Sequence, residues 1–596
     1  MEPGMKTHSP ALAPGGLAAG YGVLLGACFF LWPVVAGIPS VPLRFAWIAG
    51  AFACAFASWR AAVRLDDVRT SLVLRAVPWK TLGVVFAVLV AYGWFLPPLT
   101  FSDEVTIALP GFTVAHRLAS PLGWVPVWTM LAVAAGAVGV LMRTGSSRVA
   151  GVAIIGMALV ACAVAATGMQ SGLAMRYPPL VHVVQFLSTA LASGSPWLLR
   201  VPNALWTCAL IATAWITLKE WPRSARIALC LGMMLGPLGW TYRTALFQAC
   251  GELTLALWLT LLLASRSSWT NRRVLLVGVV GALWVLYRPT GLAPVAASLL
   301  LLALLGKRHE AWRAASIIGP VALAWFALSP LYAATYSLVG DESAAVHAGL
   351  RTPWLPLIAA LRALPMNLHP VGLAALVLSS VLALVLGNRA HRSLLGWAWC
   401  VALASSVPQQ LLVGDLFTGV ARMNVLVLVP LGVSIGCLAT MRVAGKIAAA
   451  SALAALLAVT PFSFARYTQH LRATSADIYR APTEGYVALP VSRALHHVLQ
   501  RSVTPTVLAP QYTILDLAVA MGSITLAERN AIIERSASWS PDTPARPVVV
   551  QGPVDARYAP NLAPNAEERL RAAREWALGQ QHEVYRLGSE EALVVW

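Results

Sequence analysis

An acidic pair, Asp103 and Glu104, follows directly after a long apolar run, in a part of the chain that has few acidic residues. A carboxylate in this position can act as a general base or hold a divalent metal ion. The same residues, together with Ser102, also fit the start of a helix, where short polar side chains cap exposed N–H groups. Spacing alone leaves both interpretations open. The other acidic candidates are Glu252, Asp341 and Glu342.

Five arginines share a second pattern, because each stands at the end of an apolar run on the same predicted side of the chain. The planar fork of an arginine suits a phosphate or diphosphate oxygen. A single arginine there is better explained by a side chain that reaches toward lipid headgroups. Their number and common side favour a phosphate ligand. They are Arg176, Arg200, Arg243, Arg288 and Arg422.

The composition of the chain predicts the kind of structure that positions these acids and arginines. Of the 596 residues, 58% are hydrophobic and 11% are charged, and the mean hydropathy is +0.71. Soluble domains carry about 25% charged residues. Apolar runs of membrane-spanning length recur from residue 15 to residue 460, so we predict an α-helical polytopic membrane protein with about 13 to 15 transmembrane helices. The predicted parts are an N-terminal transmembrane hairpin with a basic loop (1–80), a transmembrane core with external loops (81–465) and a soluble domain (466–596).

The basic residues indicate how these parts are oriented. Most lysines and arginines before residue 466 fall in alternate short loops, which predicts that these loops are cytoplasmic. The N-terminus is then cytoplasmic, the C-terminal domain is extracytoplasmic, and the protein lies in the cell (inner) membrane. We interpret the net charge of +19 as a sign of topology and expect no nucleic-acid partner.

The C-terminal region has a polar composition with short apolar segments between turn residues. Two strands are predicted at 506–509 and 547–551, and a hairpin at 583–596. Helical spacing is found at 491–500, 514–521, 526–536 and 566–579. These elements predict a small α/β domain with one layer of helices on one sheet.

Five stretches resemble elements of one enzyme family and occur in the order of that family. The first resembles its His-Pro-Pro-Leu element, and the later ones resemble its Leu-Arg-Leu-Pro-Ser, Tyr-Ser-Arg, Lys-Xaa-Xaa-Gly and Arg-Tyr to Leu-Pro stretches. They are Tyr177-Pro178-Pro179-Leu180-Val181-His182, Trp197 to Ala204, Gly236 to Glu252, Tyr287 to Leu292 and Val420 to Pro430. Over residues 80 to 465 the chain therefore resembles the GT-C glycosyltransferases, especially the bacterial relatives of protein O-mannosyltransferase and lipid A aminoarabinose transferase.

The resemblance implies an inverting hexosyl- or pentosyltransferase. It would move a sugar from a polyprenyl-phosphate donor to a lipid, glycan or protein acceptor on the external face of the membrane. Asp103 or Glu104 would be the catalytic base. A divalent metal ion is compatible with this chemistry, but no motif indicates one. The donor phosphate would be bound by Arg200, Arg243, Arg288 and Arg422.

One departure from the family concerns the catalytic acid, which in the family shares an external loop with the Pro-Pro-Leu element. The loop from Thr167 to Tyr177 contains no carboxylate. We favour an inserted hairpin that divides the loop and leaves Asp103 or Glu104 as the base. In the alternative, the acid moves to Asp341 and Glu342.

Two other functions remain open. A transporter or flippase of lipid-linked saccharides, or an O-antigen ligase or polymerase, would also need many apolar segments and external arginines. No internal repeat is visible, and the polar residues cluster at the ends of the apolar runs. Both observations favour an enzyme over a transporter.

Overall fold

The computed structural model describes residues 77–94, 201–244, 249–265, 268–288, 291–333, 368–413, 424–461, 490–501, 503–509, 526–542, 546–551, 566–587 and 590–596, with a few isolated positions besides. Up to residue 461 the described residues form helices. These are α1 (Trp79–Trp94), α2 (Val201–Thr217), α3 (Arg223–Met234), α4 (Gly236–Thr244), α5 (Ala249–Ala264), α6 (Asn271–Tyr287), α7 (Leu292–Leu304), α8 (Arg308–Ala333), α9 (Pro370–Leu386), α10 (Arg389–Val413), α11 (Leu428–Ala439) and α12 (Val443–Val459).

Two helices form the centre of this helical core. All residues of α11 are buried, and so is nearly all of α5, from Ala249 to Leu263. Helix α5 packs against α2, α6, α10 and α11, while α11 packs against α3, α9, α10 and α12. Helices surrounded in this way are expected to be apolar on every side.

Glycines set the distance between α3 and α11. A Cβ atom added to Gly232 would lie 3.0 Å from the Cα atom of Gly432. A Cβ atom on Gly432 would overlap the side chain of Met233, and one on Gly436 would lie 2.8 Å from the Cβ atom of Leu229. The two helices therefore meet backbone to backbone, which only glycine permits.

The prediction of a polytopic membrane protein with 13 to 15 transmembrane helices is wrong, because in the described part of the chain no helix is both long and apolar enough to cross a bilayer. Helices α5 and α6 have 16 and 17 residues. Their lengths of about 24 to 26 Å are less than the hydrocarbon thickness of about 30 Å. Apolar runs at α5 and α11 have another physical cause, since these helices are enclosed by other helices.

Arginines in the alternate basic loops have a local role as helix caps. Arg273, near the start of α6, donates from Nε to the Leu262 carbonyl at 2.8 Å and from Nη2 to the Leu263 carbonyl at 3.0 Å. Arg392 of α10 donates from Nε to the Leu384 carbonyl at 2.9 Å. In both cases an arginine satisfies carbonyls at the end of the preceding helix, where the helix dipole favours a cation. Burial lowers the pKa of Arg273 to about 10, so it stays charged at neutral pH.

The C-terminal region forms one four-stranded sheet in the order β1-β2-β4-β3, with three described helices. Strand β1 is parallel to β2, and β4 is antiparallel to both β2 and β3. The elements are α13 (Pro490–Gln500), β1 (Thr506–Leu508), α14 (Leu526–Ala537), β2 (Val548–Gln551), α15 (Ala566–Leu578), β3 (Glu583–Leu587) and β4 (Glu590–Val595). The predicted strands and hairpin are thus present. The predicted helix at 514–521 lies largely outside the described residues.

Helices cover both faces of this sheet, so the prediction of a single helical layer is wrong. Val548 and Val550 of β2 pack in one cluster with Leu570 and Ala573 of α15. Val549 points to the opposite face and belongs to a second hydrophobic cluster. Helix α13 contacts β2, β3 and β4. In the runs 548–550 and 593–595 every residue is apolar, whereas a strand with one exposed face alternates apolar and polar residues. Such continuous apolar runs are typical of strands that are buried on both faces.

Tyr585 connects the edge strand β3 to α13. Its hydroxyl lies 2.7 Å from Nδ1 of His497 and donates to Oε2 of Glu583 at 3.0 Å. Burial, and next the hydrogen bond to Glu583 and its charge, raise the pKa of Tyr585 to about 12. The neutral phenol is therefore the form that the fold stabilises.

Tyr585→Phe is expected to remove part of the alkaline destabilisation of the sheet. In the folded protein the pKa of Tyr585 is raised from 10 to about 12, so below pH 10 the neutral phenol stabilises the folded state fully. This stabilisation is lost as the pH rises toward 12, because only the unfolded tyrosine ionises in this window. Urea unfolding of the full chain below pH 10 and at about pH 11 measures the difference. An equal alkaline loss in both proteins would contradict the assignment.

Candidate functional site

A buried ion pair joins helices α5 and α6. Glu252, in the first turn of α5, has a side chain that is only 1% exposed, and its Oε2 accepts a hydrogen bond from Nη1 of Arg288 at 2.5 Å. Its Oε1 accepts a longer bond from the indole N–H of Trp284 at 3.4 Å. The start of a helix also favours a negative charge. Both carboxylate oxygens therefore have a donor, as a buried acid requires.

The end of α6 presents the arginine. Arg288 follows the last residue of this helix, and its backbone N–H bonds to the Trp284 carbonyl at 2.8 Å. Trp284 and Arg288 are four residues apart, and both side chains donate to the carboxylate of Glu252. Gly291 packs so closely on the indole of Trp284 that a Cβ atom would overlap the ring. The buried tryptophan thus holds the turn that carries Arg288.

Aromatic side chains border the pair. The phenol of Tyr287 lies over Gly251, where an added Cβ atom would be 2.7 Å from Oη. Trp206 of α2 meets Tyr287 edge to face, with ring centroids 5.1 Å apart. The hydroxyl of Thr254 donates to the Trp206 carbonyl at 2.9 Å. These contacts hold α2, α5 and α6 in a fixed arrangement around Glu252.

Helix α4 is anchored beside the same end of α5. Gly236 begins α4 with a φ of +84°, a conformation that favours glycine, and its N–H donates to Oγ1 of Thr460 at 2.8 Å. The indole of Trp240 donates to Oη of Tyr92 at 3.4 Å. Because α4 also contacts α2 and α5, the helix that carries Arg243 belongs to the surroundings of the ion pair.

The structure brings together two of the predicted site residues, Arg288 and Glu252. Arg243 lies on the neighbouring α4, and Leu180 of the Pro-Pro-Leu element is buried with 3% exposure. The other predicted residues are outside the described part of the chain. They are Asp103, Glu104, Arg176, Tyr177, Pro178, Pro179, His182, Arg200, Asp341, Glu342 and Arg422.

The described side chains include no group of three or more His, Cys, Asp or Glu residues that could hold a metal ion. The acidic pair Asp103 and Glu104, which the sequence offers as metal ligands, lies outside this part. In the described residues the site therefore consists of a guanidinium, the carboxylate that binds it and an aromatic border. Such a cation suits an anionic ligand group.

No protein-family model, no curated protein and no solved structure matches this chain. The resemblance to the GT-C enzymes thus stays a prediction. The geometry around Arg288 is the remaining basis for a functional assignment.

Sequence reasoning missed the connection between Glu252 and Arg288, which are 36 residues apart. It also missed Trp284. Two signals point to them: the single acid within the apolar run of α5, which needs a cationic partner, and the four-residue spacing between Trp284 and Arg288.

Proposed function

We propose that the chain is a glycosyltransferase that takes a sugar from a polyprenyl-phosphate donor, with Arg288 as a ligand of the donor phosphate and Glu252 as the residue that orients it. The supporting observation is the asymmetry of the ion pair, in which the side chain of Glu252 is 1% exposed and that of Arg288 is 16% exposed. A guanidinium has five donors in a planar fork. One edge can be held by a carboxylate while another meets a phosphate oxygen.

The proposed reaction is a direct displacement at the anomeric carbon. Asp103 or Glu104 accepts the proton of the acceptor hydroxyl, and the acceptor oxygen forms its bond to the anomeric carbon. The bond from that carbon to the phosphate oxygen breaks, so the configuration inverts and polyprenyl phosphate leaves with the electron pair. Arg288 neutralises the charge that develops on this phosphate, which in a site shielded from water contributes several kcal/mol. Arg200, Arg243 and Arg422 are proposed as further phosphate ligands.

The lipid-linked donor places the proposed reaction at a cell membrane, with a lipid, glycan or protein as the acceptor. Polyprenyl-monophosphate and polyprenyl-diphosphate sugars, given separately to the purified full chain, distinguish this enzyme from a ligase or polymerase. A flippase would move the lipid without breaking the glycosidic bond. Release of free polyprenyl monophosphate is the outcome that the proposal requires.

Arg288→Gln is expected to lower kcat/KM for transfer by a factor of about 100 or more, mostly through kcat, because the charge on the leaving phosphate develops in the transition state. Arg288→Lys keeps the charge but loses the fork, so an intermediate loss is expected. Transfer of labelled sugar by the purified variants measures both.

Arg571, an exposed arginine of α15, provides the matched control, and Arg571→Gln should transfer normally. Full activity of Arg288→Gln would exclude its role as a ligand of the donor phosphate.

Asp103→Asn and Glu104→Gln test the catalytic base separately. Normal transfer by both variants would assign the base to another residue.

A further inference from the structure

Exposed basic side chains gather at the end of the helical core that lies opposite Glu252 and Arg288. Short turns connect α2 to α3, α5 to α6, α7 to α8, α9 to α10 and α11 to α12 at this end. Contacts bring the turns together: Arg313 of α8 donates to Asn271 of α6 at 2.9 Å, and His391 of α10 bonds Thr440 after α11 at 3.0 Å. We call this surface the basic end.

The charge of the basic end is strongly one-sided. Among the described residues at these turns and helix starts, the acids that reach the surface are the exposed Glu220 and the partly exposed Glu310. The exposed lysines and arginines are Lys219, Arg223, Lys307, Arg308, Arg389, Arg392, Arg442 and Lys446. Such a concentration of one sign attracts an anionic partner.

Large apolar side chains are exposed between these bases. Leu305 is 62% exposed beside Lys307, Trp312 is 75% exposed one helical turn after Arg308, and Val443 is 71% exposed next to Arg442. Further examples at this end are Leu304, Val385 and Ile447, each at least 60% exposed. Exposed apolar groups rimmed by charge mark interaction surfaces.

We propose that the basic end binds the anionic headgroup region of a lipid bilayer. Lysine and arginine attract anionic headgroups, while leucine, valine and tryptophan gain from contact with the boundary of the acyl chains. A nucleic acid would satisfy the bases but offers no apolar region to these side chains. This inference rests on charge and exposure, and it does not depend on the proposed transfer reaction.

Flotation of the purified full chain with phospholipid vesicles tests the proposal. Vesicles that contain phosphatidylglycerol should bind the chain at least about ten-fold more tightly than vesicles of phosphatidylcholine alone, and added salt should weaken this binding. The triple variant Lys307→Gln, Arg308→Gln and Arg442→Gln should lose the preference. A matched triple variant in the C-terminal domain, Arg501→Gln, Arg571→Gln and Arg586→Gln, removes the same charge and should keep it.

A second variant, Leu304→Ser with Trp312→Ser, separates a lipid surface from other polyanions. It should weaken binding to phosphatidylglycerol vesicles and leave binding to heparin and duplex DNA unchanged. Equal binding to both vesicle types, or no effect of this variant on the vesicles, would overturn the proposal. The basic-end variants should still transfer sugar in detergent, and Arg288→Gln should still bind vesicles, so the two proposals fail independently.

Discussion

Glu252→Ala is expected to lower the free energy of unfolding by about 3 kcal/mol, because it removes the carboxylate that compensates the charge of a largely buried Arg288. The proposed transfer should fall as well, since Arg288 loses the contact that orients its guanidinium. Urea unfolding of the full chain measures the first effect. Sugar transfer under conditions where the variant remains folded measures the second.

Glu220→Ala is the matched control, because Glu220 is exposed in the turn between α2 and α3. Its effect should stay within about 0.5 kcal/mol. A double-mutant cycle of Glu252→Ala with Arg288→Ala should give a coupling energy of at least about 1 kcal/mol, since the two side chains touch. Additive effects, or a loss no larger than that of Glu220→Ala, would contradict the ion pair.

Gly432→Ala is expected to destabilise the helical core by about 2 to 3 kcal/mol through overpacking. The added methyl group would overlap the side chain of Met233 and lie 2.7 Å from the carbonyl oxygen of Leu229. A side chain can rotate away, but a carbonyl moves only with its helix. Helices α3 and α11 must therefore separate, which weakens the packing along both.

Gly396→Ala provides the control for this substitution. Gly396 also lies within a helix, α10, but an added Cβ atom meets nothing within 4 Å. Because alanine favours the helix over glycine, this variant should be neutral or more stable by up to about 1 kcal/mol. Unfolding by urea compares the two variants, and an equal effect of both would disprove the close approach at Gly432.

Local patterns were sufficient for several elements. The predicted strands at 506–509 and 547–551 and the hairpin at 583–596 are found at β1 to β4. They were predictable because apolar runs between turn residues act within a few positions. The order β1-β2-β4-β3 and the second helical layer were not predictable in the same way. They depend on which faces of the strands meet α13 and α15.

For the long apolar runs, local patterns were not sufficient. Hydropathy identified where helices such as α5 and α11 lie but not that other helices enclose them. A helix that is apolar on every side can be enclosed by lipid or by other helices, and its sequence looks the same in both cases. The contacts of α5 with α2, α6, α10 and α11 distinguish the two.

The sequence by itself determined that Arg288 stands at the end of an apolar helix and that Glu252 is an isolated acid within another. Both facts follow from local composition and spacing. Tertiary structure decided that these two residues form one site, because their contact depends on how α5 packs against α6 and on the glycines that let Tyr287 and Trp284 approach. Burial of the acid then made the arginine its necessary partner, since a buried charge must be compensated.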